Sequence, residues 1–195
     1  MREMINMVVI LLVLCVASGS LLAAVKNGTN ERIENQVLNF VKGPAIRSIM
    51  EGAANDPISD RFSLKVGEKD QSFFVGVFDG EATSVAFETV GKGYGGDVGL
   101  MVGIDVKNGE LLGVGVTTHA ETPGMGALAK DDPKFSAQFK GLPLQDKYAV
   151  GGGQINAISG ATITSNAVCQ AASDAVKIFK ELKPQLSEKM KATAK

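Results

Sequence analysis

The sequence predicts an α+β fold, in which an antiparallel β-sheet packs against helices and one transmembrane helix precedes the domain. Three observations predict it: a long uncharged stretch near the N-terminus, a run of short alternating segments with tight turns, and a late segment with helical spacing of its apolar residues. With 195 residues, 45% of them apolar, the chain can build one ordinary globular core. We expect an anchor over 1–28, a helical connector over 29–55, one domain over 56–185 and a solvated basic tail over 186–195.

The anchor is predicted from residues 4–25, which carry no charge. As a helix rising about 1.5 Å per residue, this stretch reaches roughly 33 Å, enough to cross a hydrocarbon core about 30 Å thick. A cleavable signal peptide is the alternative, because the small residues at 17–20 offer plausible cleavage positions. The apolar run continues past them from Leu21 to Val25, and we therefore favour a retained anchor.

The connector is predicted to hold a helix between the membrane and the domain. Thr29 or Asn30 can cap its N-terminus, and Gly43-Pro44 is expected to break it, because proline removes a backbone donor and clashes with the preceding turn. A short helix is expected to resume over 45–50, and the Asn-Asp-Pro sequence at 55–57 marks a turn before the domain.

Short segments of the domain, rich in β-formers and partly alternating, are predicted as β-strands. They cover residues 62–66, 72–78, 84–90, 98–106 and 111–117. Asp79-Gly80 joins the second strand to the third and Asn108-Gly109 joins the last two, and both dipeptides favour tight hairpins. Strands joined in this way form an antiparallel meander rather than alternating β and α units. Short helices are expected over 126–130 and 133–139.

Residues 156–165 are the strongest candidate site, a turn of small and hydroxyl-bearing residues that opens onto the last helix. Apolar residues recur at helical spacing from Val168, so the helix is predicted to begin near Thr164 or Ser165, with either hydroxyl as its N-cap. The unpaired amides of a first helical turn, with the positive end of the helix dipole, favour a phosphate. The alternative is a turn that only caps a helix, and local chemistry alone does not choose between the two.

Composition argues against several functional classes. The formal net charge of −1 and the absence of a dense Lys/Arg stripe argue against nucleic acid as a partner. A single histidine, His119, excludes a multi-histidine zinc or haem site within the chain, and no metal site is predicted. Cys15 and Cys169 lack metal-ligand spacing, and we interpret both as small apolar residues without a disulfide. A secreted hydrolase would need a second catalytic base that the sequence does not show.

Three motifs resemble those of a known family. Residues 159–165 (Ser-Gly-Ala-Thr-Ile-Thr-Ser) are similar to the Ser/Thr-Gly-Ala-Thr motif of the FMN-binding domain found in the G subunits of Rnf complexes and the C subunits of sodium-pumping NADH:quinone oxidoreductases. Residues 119–126 (His-Ala-Glu-Thr-Pro-Gly-Met-Gly) resemble the family's His-x-Glu-Thr-Pro-Gly-Leu-Gly loop, and residues 91–96 resemble its Gly-x-Gly-Tyr-x-Gly turn. Three motifs in order are more specific than one glycine-rich turn.

The resemblance implies that FMN is held covalently, through a phosphoester to Thr162. It also implies that the rest of the motif shapes the phosphate site and that the 119–126 loop forms a wall of the flavin pocket. Besides Thr162, the cofactor-binding candidates that the resemblance implies are Ser159, Gly160, Ala161, Thr164, Ser165, His119, Glu121, Thr122, Gly124, Met125 and Tyr94. Two alternatives stay open: His119 as a loop histidine bonded to the backbone, and Tyr94 as a side chain packed on the sheet. Asn156 stands where the family usually has an acidic residue.

The implied function is that of an electron-transfer subunit in a membrane-bound Rnf-type ferredoxin:NAD+ oxidoreductase complex that translocates ions. The chain is not expected to be a complete enzyme alone. Its implied partners are the other membrane subunits and a flavin transferase that installs FMN. The resemblance places a single-pass anchor in the cell (inner) membrane and the domain on the extracytoplasmic side. Two alternatives remain: a membrane-tethered FMN-domain sensor or scaffold without covalent flavin, and the longer C subunit of the quinone reductase.

Overall fold

The N-terminal part of the chain is one long helix, α1, which spans Arg2–Gln36. The computed structural model describes residues 2–151 and 154–193. The chain forms two compact units, Met1–Asn39 and Phe40–Lys195, and α1 makes up most of the first. Its apolar side chains from Met4 to Val25 are exposed on every side. A helix that is apolar all round needs apolar surroundings, and this one is long and apolar enough to cross a membrane.

No helix begins at Thr29 or Asn30, so the predicted cap at these positions is wrong. The helix α1 runs through both residues. The Thr29 hydroxyl donates a hydrogen bond to the carbonyl of Val25 one turn earlier, which is the arrangement of a threonine inside a helix. Because α1 continues through Thr29, no helix N-terminus follows it to be capped. The division into anchor, connector, domain and tail remains a prediction.

The predicted helix break at Gly43-Pro44 is also wrong, because the chain is helical on both sides of residue 43. Residues Val37–Lys42 form a π-helical segment, and the helix α2 follows over Gly43–Ile49. Pro44 lies in the first turn of α2, where a backbone amide makes no hydrogen bond within that helix, so the missing donor of proline costs little. The chain therefore stays helical past the proline.

The domain is built on a five-stranded sheet whose strands follow one another in chain order, β1-β2-β3-β4-β5. The strands are β1 Arg61–Val66, β2 Lys69–Phe78, β3 Glu81–Lys92, β4 Asp97–Asp105 and β5 Glu110–Val116. Every neighbouring pair is antiparallel, which confirms the predicted meander and its five strands. Asp79 and Gly80 have φ of 52° and 78°, the left-handed conformation that a tight hairpin requires. The α+β class is confirmed.

One face of the sheet packs against the last helix, α5, which spans Thr162–Thr193. The side chains from the sheet that fill this core include Phe73, Val75, Val85, Phe87, Leu100 and Val102. The facing side chains of α5 include Val168, Ala171, Ala172, Ala175, Val176 and Phe179. The small alanines let α5 approach β3 closely, and the hydroxyl of Thr89 donates to the carbonyl of Ala171 at 2.9 Å. This contact fixes the position of α5 on the sheet.

The opposite face of β4 and β5 is covered by α2. Glycines at positions 103 and 115 leave the room for it, since a Cβ on Gly103 would lie 2.2 Å from Cγ2 of Ile49 and one on Gly115 would lie 3.0 Å from Cβ of Ala45. An ion pair closes one end of this contact, with Lys42 Nζ 2.7 Å from Glu88 Oε2. Glu88 also accepts a hydrogen bond from the hydroxyl of Thr117 at the end of β5. The carboxylate is mostly buried, and its two partners come from different parts of the domain.

Replacing Lys42 by methionine is expected to lower the free energy of unfolding by about 1–2 kcal/mol, because Glu88 then keeps a mostly buried charge with only one side-chain partner. The control is Lys92→Met, whose ion pair with Asp97 is exposed and is expected to contribute almost nothing. Urea unfolding of both variants in detergent, followed by circular dichroism, measures the difference. Equal losses in the two variants would contradict the prediction.

The helix α5 begins earlier than predicted and continues to Thr193. It starts at Thr162 rather than near Thr164 or Ser165, and those two hydroxyls lie inside the first turn. At the other end, Leu186 and Met190 are buried in the core although Pro184 precedes them in the helix. The expected solvated tail is therefore wrong for Leu186 and Met190, which pack on the domain.

The remaining elements agree with the predicted short helices, α3 over Leu128–Asp131 and α4 over Pro133–Ala137. Asp132 caps α4, since its carboxylate accepts a hydrogen bond from the amide of Lys134 at 2.9 Å. Pro133 follows at the first position of the helix, where its fixed φ is favourable. These two helices lead the chain from the 119–126 loop toward residues 156–165.

Cys169 is expected to resist thiol reagents in the folded protein. It lies in the core at 1% exposure, and burial raises the pKa of its thiol to about 11. At pH 8 about one thiol in a thousand is then ionised, and that thiolate is shielded from solvent. Iodoacetamide labelling followed by peptide mass spectrometry should find Cys169 unmodified in the native protein and modified in urea. Rapid native labelling would contradict this.

Candidate functional site

A cleft of about 480 Å³ opens where three separate segments of the domain meet. It is lined by Tyr94, Glu121, Thr122, Met125, Gly126, Gly160, Ala161, Thr162, Ile163 and Thr164. These residues come from the turn after β3, the loop after β5 and the start of α5. The structure therefore brings the three motifs of the sequence to one place. The volume lies within the range of sites that bind small molecules and cofactors.

The four hydroxyl residues of the 159–165 turn differ sharply in availability. Ser165 is fully buried, where its hydroxyl accepts from the amide of Ile158 at 3.0 Å and donates to the carbonyl of Ala161 at 2.9 Å. Thr164 is 1% exposed and donates to Glu121. Ser159 is exposed but does not line the cleft.

Thr162 combines the properties that the other three lack. It is exposed, it lines the cleft, and its hydroxyl makes no hydrogen bond with the residues that the structure describes. A reactive group can therefore reach this oxygen without displacing an internal partner. Among the described hydroxyls of the turn, Thr162 is the one presented to a ligand.

The backbone beside Thr162 is suited to an anion. The amide of Ser165 pairs with the carbonyl of Ala161 and thus closes the first turn of α5. The amides of residues 162–164 precede that bond, and no acceptor for them is found within 2–151 and 154–193. At the start of a 32-residue helix, these amides and the helix dipole favour negative charge. Gly160, with a φ of +77°, turns the chain into this position.

Glu121 ties the three segments together. It is 6% exposed, and its Oε1 accepts a hydrogen bond from the amide of Gly95 at 2.8 Å. Its Oε2 accepts from the hydroxyl of Thr164. The carboxylate is thus occupied by groups of the protein itself, although the resemblance implied that it would contact the cofactor.

Three large apolar side chains stand exposed on the cleft. Tyr94 is 76% exposed, Ile163 53% and Met125 49%. Tyr94 does not pack against the sheet, so that alternative for it is wrong. Exposed apolar groups gathered at the edge of a concave site are typical of surfaces that cover an aromatic ligand. Aromatic stacking and thioether contacts both suit the flat face of a ring system.

Four of the candidate residues lie outside the cleft lining: Ser159, Ser165, His119 and Gly124. The ring nitrogen Nδ1 of His119 accepts from the amide of Glu121 at 3.3 Å, which matches a loop histidine bonded to the backbone. Gly124 has a φ of +74° and shapes the tight turn of the loop. Sequence reasoning missed Ile163, whose position directly after Thr162 in an exposed first turn is the signal that could have found it.

No group of three or more His, Cys, Asp or Glu residues within 2–151 and 154–193 is arranged to hold a metal ion. The cleft instead offers an accessible hydroxyl, free amides at a helix N-terminus and apolar walls. This combination suits a ligand with a phosphate at one end and an aromatic ring at the other. It offers no paired base and nucleophile for hydrolysis, because the hydroxyl of Thr162 has no described partner.

Comparison with known proteins shows the family to which the chain belongs. Residues 93–177, which carry all but the edge of the three motifs, match the model of the FMN-binding domain family. The chain is 32% identical over 178 residues to the G subunit of the ion-translocating oxidoreductase complex of Methanosarcina acetivorans, covering 90% of this chain and 94% of that protein. It is 33% identical over 185 residues to the G subunit of the same kind of complex in Vibrio cholerae serotype O1, covering 88% of each.

A solved structure shares the fold. The crystal structure of NqrC from Shewanella oneidensis superposes with a TM-score of 0.54 at 25% sequence identity, over 70% of this chain and 72% of that one. The matches to the two G subunits cover 90% and 88% of the chain, whereas the domain match over residues 93–177 covers β4, β5, the loop after β5 and the first half of α5. The chain belongs to the family of G subunits of ion-translocating oxidoreductase complexes, and the cleft at the start of α5 lies within its FMN-binding domain.

Proposed function

We propose that this protein is the electron-transfer subunit of a membrane-bound Rnf-type ferredoxin:NAD+ oxidoreductase complex, and that it carries FMN joined to Thr162 through a phosphoester. The observation that carries the proposal is the contrast between Thr162 and its neighbours. Its hydroxyl is exposed on the cleft and unbonded, whereas those of Thr164 and Ser165 are buried and bonded. The family supports a redox role within an ion-translocating complex.

Different residues of the cleft would hold the phosphate and the ring of the cofactor. A phosphodiester on Thr162 keeps a negative charge, and the free amides of residues 162–164 with the helix dipole stabilise it. Tyr94, Met125 and Ile163 would cover the ring and exclude water from one side of it. FMN supplies the redox chemistry when bound, and the protein orients it and sets its surroundings.

The membrane part of the proposal rests on α1. A helix without a charge from Met4 to Val25, exposed on all sides, is suited to a bilayer and to the helices of other membrane subunits. We place the domain on the extracytoplasmic side, with those subunits as its partners. Tyr94, Met125 and Ile163 would hold the ring at the exposed edge of the cleft, from which bound FMN could exchange electrons with a partner subunit.

Maturation requires a flavin transferase, and the position that departs from the family pattern is open to one. Asn156 is exposed, and its backbone is held in place by Gln138, whose side chain accepts from the Asn156 amide at 2.7 Å. The Asn156 side chain therefore lies on the surface ahead of the turn, and an enzyme can contact it while it approaches Thr162.

Peptide mass spectrometry of the protein purified from its own membranes tests the proposal. The peptide that contains Thr162 should gain the mass of one FMN less one water, with fragment ions placing it on that residue. Denaturing electrophoresis should show a fluorescent band, because a covalent flavin survives unfolding. A band without fluorescence, together with FMN released on denaturation, would support the noncovalent sensor or scaffold instead and overturn the covalent proposal.

A further inference from the structure

We propose that Glu121 is a positioning residue: it holds the first turn of α5 so that Thr162, and not Thr164, is presented for flavin attachment. The inference rests on the proposed function and deepens it. The resemblance placed Glu121 among the residues that touch the cofactor. The contacts of its carboxylate point to a different role, because both oxygens bind groups of the protein.

The carboxylate joins three segments that are distant in sequence. Oε1 accepts from the Gly95 amide at 2.8 Å, and Oε2 accepts from the Thr164 hydroxyl, 43 positions along the chain. Glu121 itself belongs to the loop after β5 and is 6% exposed. Hydrogen bonds to a buried charged group are among the stronger ones, so this link resists movement of any of the three segments.

The slot around the carboxylate is formed by glycines. A Cβ on Gly93 would lie 2.5 Å from Oε1 of Glu121, and one on Gly126 would lie 2.6 Å from Oε2. A Cβ on Gly95 would lie 2.2 Å from the carbonyl oxygen of Ala120. No side chain fits at these three positions while Glu121 keeps its place. Two of the sequence motifs therefore contain glycine where the Glu121 carboxylate or its loop needs the space.

The link to Thr164 has two consequences for attachment. Thr162 and Thr164 share one helical turn, so a fixed Thr164 side chain fixes the direction in which the Thr162 hydroxyl emerges. The Thr164 hydroxyl is also kept at 1% exposure and donates its hydrogen bond to Glu121, which withholds it from the reaction. Glu121 thus sets both the geometry and the choice of the acceptor.

The attachment step itself is a phosphoryl-type transfer without electron transfer. The bond between Thr162 Oγ1 and the FMN phosphorus forms, and the phosphoanhydride bond that activates FMN in the donor held by the transferase breaks. The hydroxyl proton leaves to solvent or to the transferase, and the other half of the anhydride leaves as a phosphate monoester. Glu121 acts on this step through position alone, since its carboxylate is turned to Gly95 and Thr164.

Two substitutions that remove the link test the inference in the full-length protein, expressed in its host with the flavin transferase. Thr164→Val removes the donor and keeps the shape, and Glu121→Met removes the acceptor and keeps the length. Each is expected to slow flavin attachment about tenfold or more, because small displacements of a reacting group cost large factors in rate. The measurement is in-gel flavin fluorescence per unit of protein at intervals after induction.

A rescue variant and a double variant distinguish a loss of positioning from a general loss of stability. Thr164→Ser restores the donor and is expected to attach flavin within about twofold of the natural rate. The double variant is expected to be no slower than Glu121→Met alone, because that variant already lacks the link to Thr164. Thr83→Val, in β3 and outside the cleft lining, serves as the matched control and should leave the rate unchanged. Circular dichroism melts identify a variant that fails to fold, in which case the Thr164→Val and Thr164→Ser pair decides.

The inference is overturned if folded Thr164→Val attaches flavin at the natural rate, or if Thr164→Ser is as slow as Thr164→Val. In both cases, flavin found on Thr162 of the protein with the natural sequence would leave the proposed function standing. If the protein with the natural sequence carries no covalent flavin, the proposed function and this inference are overturned together. The peptide mass map of that protein therefore distinguishes the two failures.

Discussion

Replacing Thr162 by alanine is expected to abolish covalent flavin entirely while the domain stays folded. The substitution removes the one hydroxyl of the turn that is both exposed on the cleft and unbonded among the described residues. Thr164 and Ser165 cannot take over, because their hydroxyls are buried and donate to Glu121 and to the carbonyl of Ala161. Since the Thr162 side chain makes no described hydrogen bond, its loss should change the free energy of unfolding by less than about 0.5 kcal/mol.

In-gel fluorescence after denaturing electrophoresis measures the loss of flavin, and a thermal melt of the same preparation measures folding. Two control variants test whether the loss is specific to the hydroxyl at position 162. Thr162→Ser keeps a hydroxyl at the same place and should retain covalent flavin, whereas Thr83→Ala removes a hydroxyl of β3 outside the cleft lining and should leave the flavin in full. A fluorescent band that persists in Thr162→Ala would show that another residue is the acceptor, and its peptide map would name it.

The loss of flavin in Thr162→Ala also separates an electron carrier with covalent flavin from a sensor or scaffold. A noncovalent cofactor would depend on the walls of the cleft, such as Tyr94 and Met125, rather than on one hydroxyl. It would leave the protein on denaturation in the natural chain as well. The variant and the natural chain would then look alike on the gel. The comparison therefore tests the covalent attachment and not only the presence of FMN.

The sheet was predictable because its signals are local. Alternating apolar residues and the two dipeptides Asp79-Gly80 and Asn108-Gly109 mark strands and hairpins within a few residues, and both hairpins lie where expected. The meeting of the three motifs at one cleft followed from family resemblance. Propensity alone gives no reason for residues 93–96 to lie beside residues 160–164.

The start of α5 was not predictable from local chemistry. Thr164 and Ser165 look like caps, because both hydroxyls precede a helical pattern. Their real partners are set by the tertiary fold: Thr164 meets Glu121 from a distant loop, and Ser165 bonds within its own turn. The end of α5 was predictable in principle, since Leu182, Leu186 and Met190 continue the four-residue spacing past Pro184.

Replacing Gly91 by alanine is expected to lower the free energy of unfolding by about 3 kcal/mol or more, the largest stability loss of any single methyl addition in the sheet. A Cβ at this position would lie 2.0 Å from the carbonyl oxygen of Ala167 and 2.7 Å from its carbonyl carbon. Both atoms belong to the backbone of α5, so no side-chain rotation relieves the clash. Either β3 or α5 must move as a whole.

Movement of α5 has consequences beyond stability, because the helix that begins at Thr162 carries the candidate attachment site at its N-terminus. The hydrogen bond from Thr89 to Ala171 would stretch, and the link from Thr164 to Glu121 lies at the same end of the helix. Thermal unfolding in detergent should show a loss of about 6–12 °C in Gly91→Ala. Flavin attachment should slow as well, even below the melting temperature.

Gly113→Ala is the matched control, since it adds the same methyl to a buried strand glycine of the same sheet. There a Cβ would meet Cγ1 of Ile49 at 3.7 Å, an ordinary van der Waals distance to a side chain. We therefore expect a change of less than about 1 kcal/mol, of either sign, and normal flavin attachment. Similar melting temperatures for the two variants would mean that α5 does not approach β3 as closely as the structure places it. A large loss confined to Gly91→Ala would show that backbone contact between this strand and this helix holds the attachment site in place.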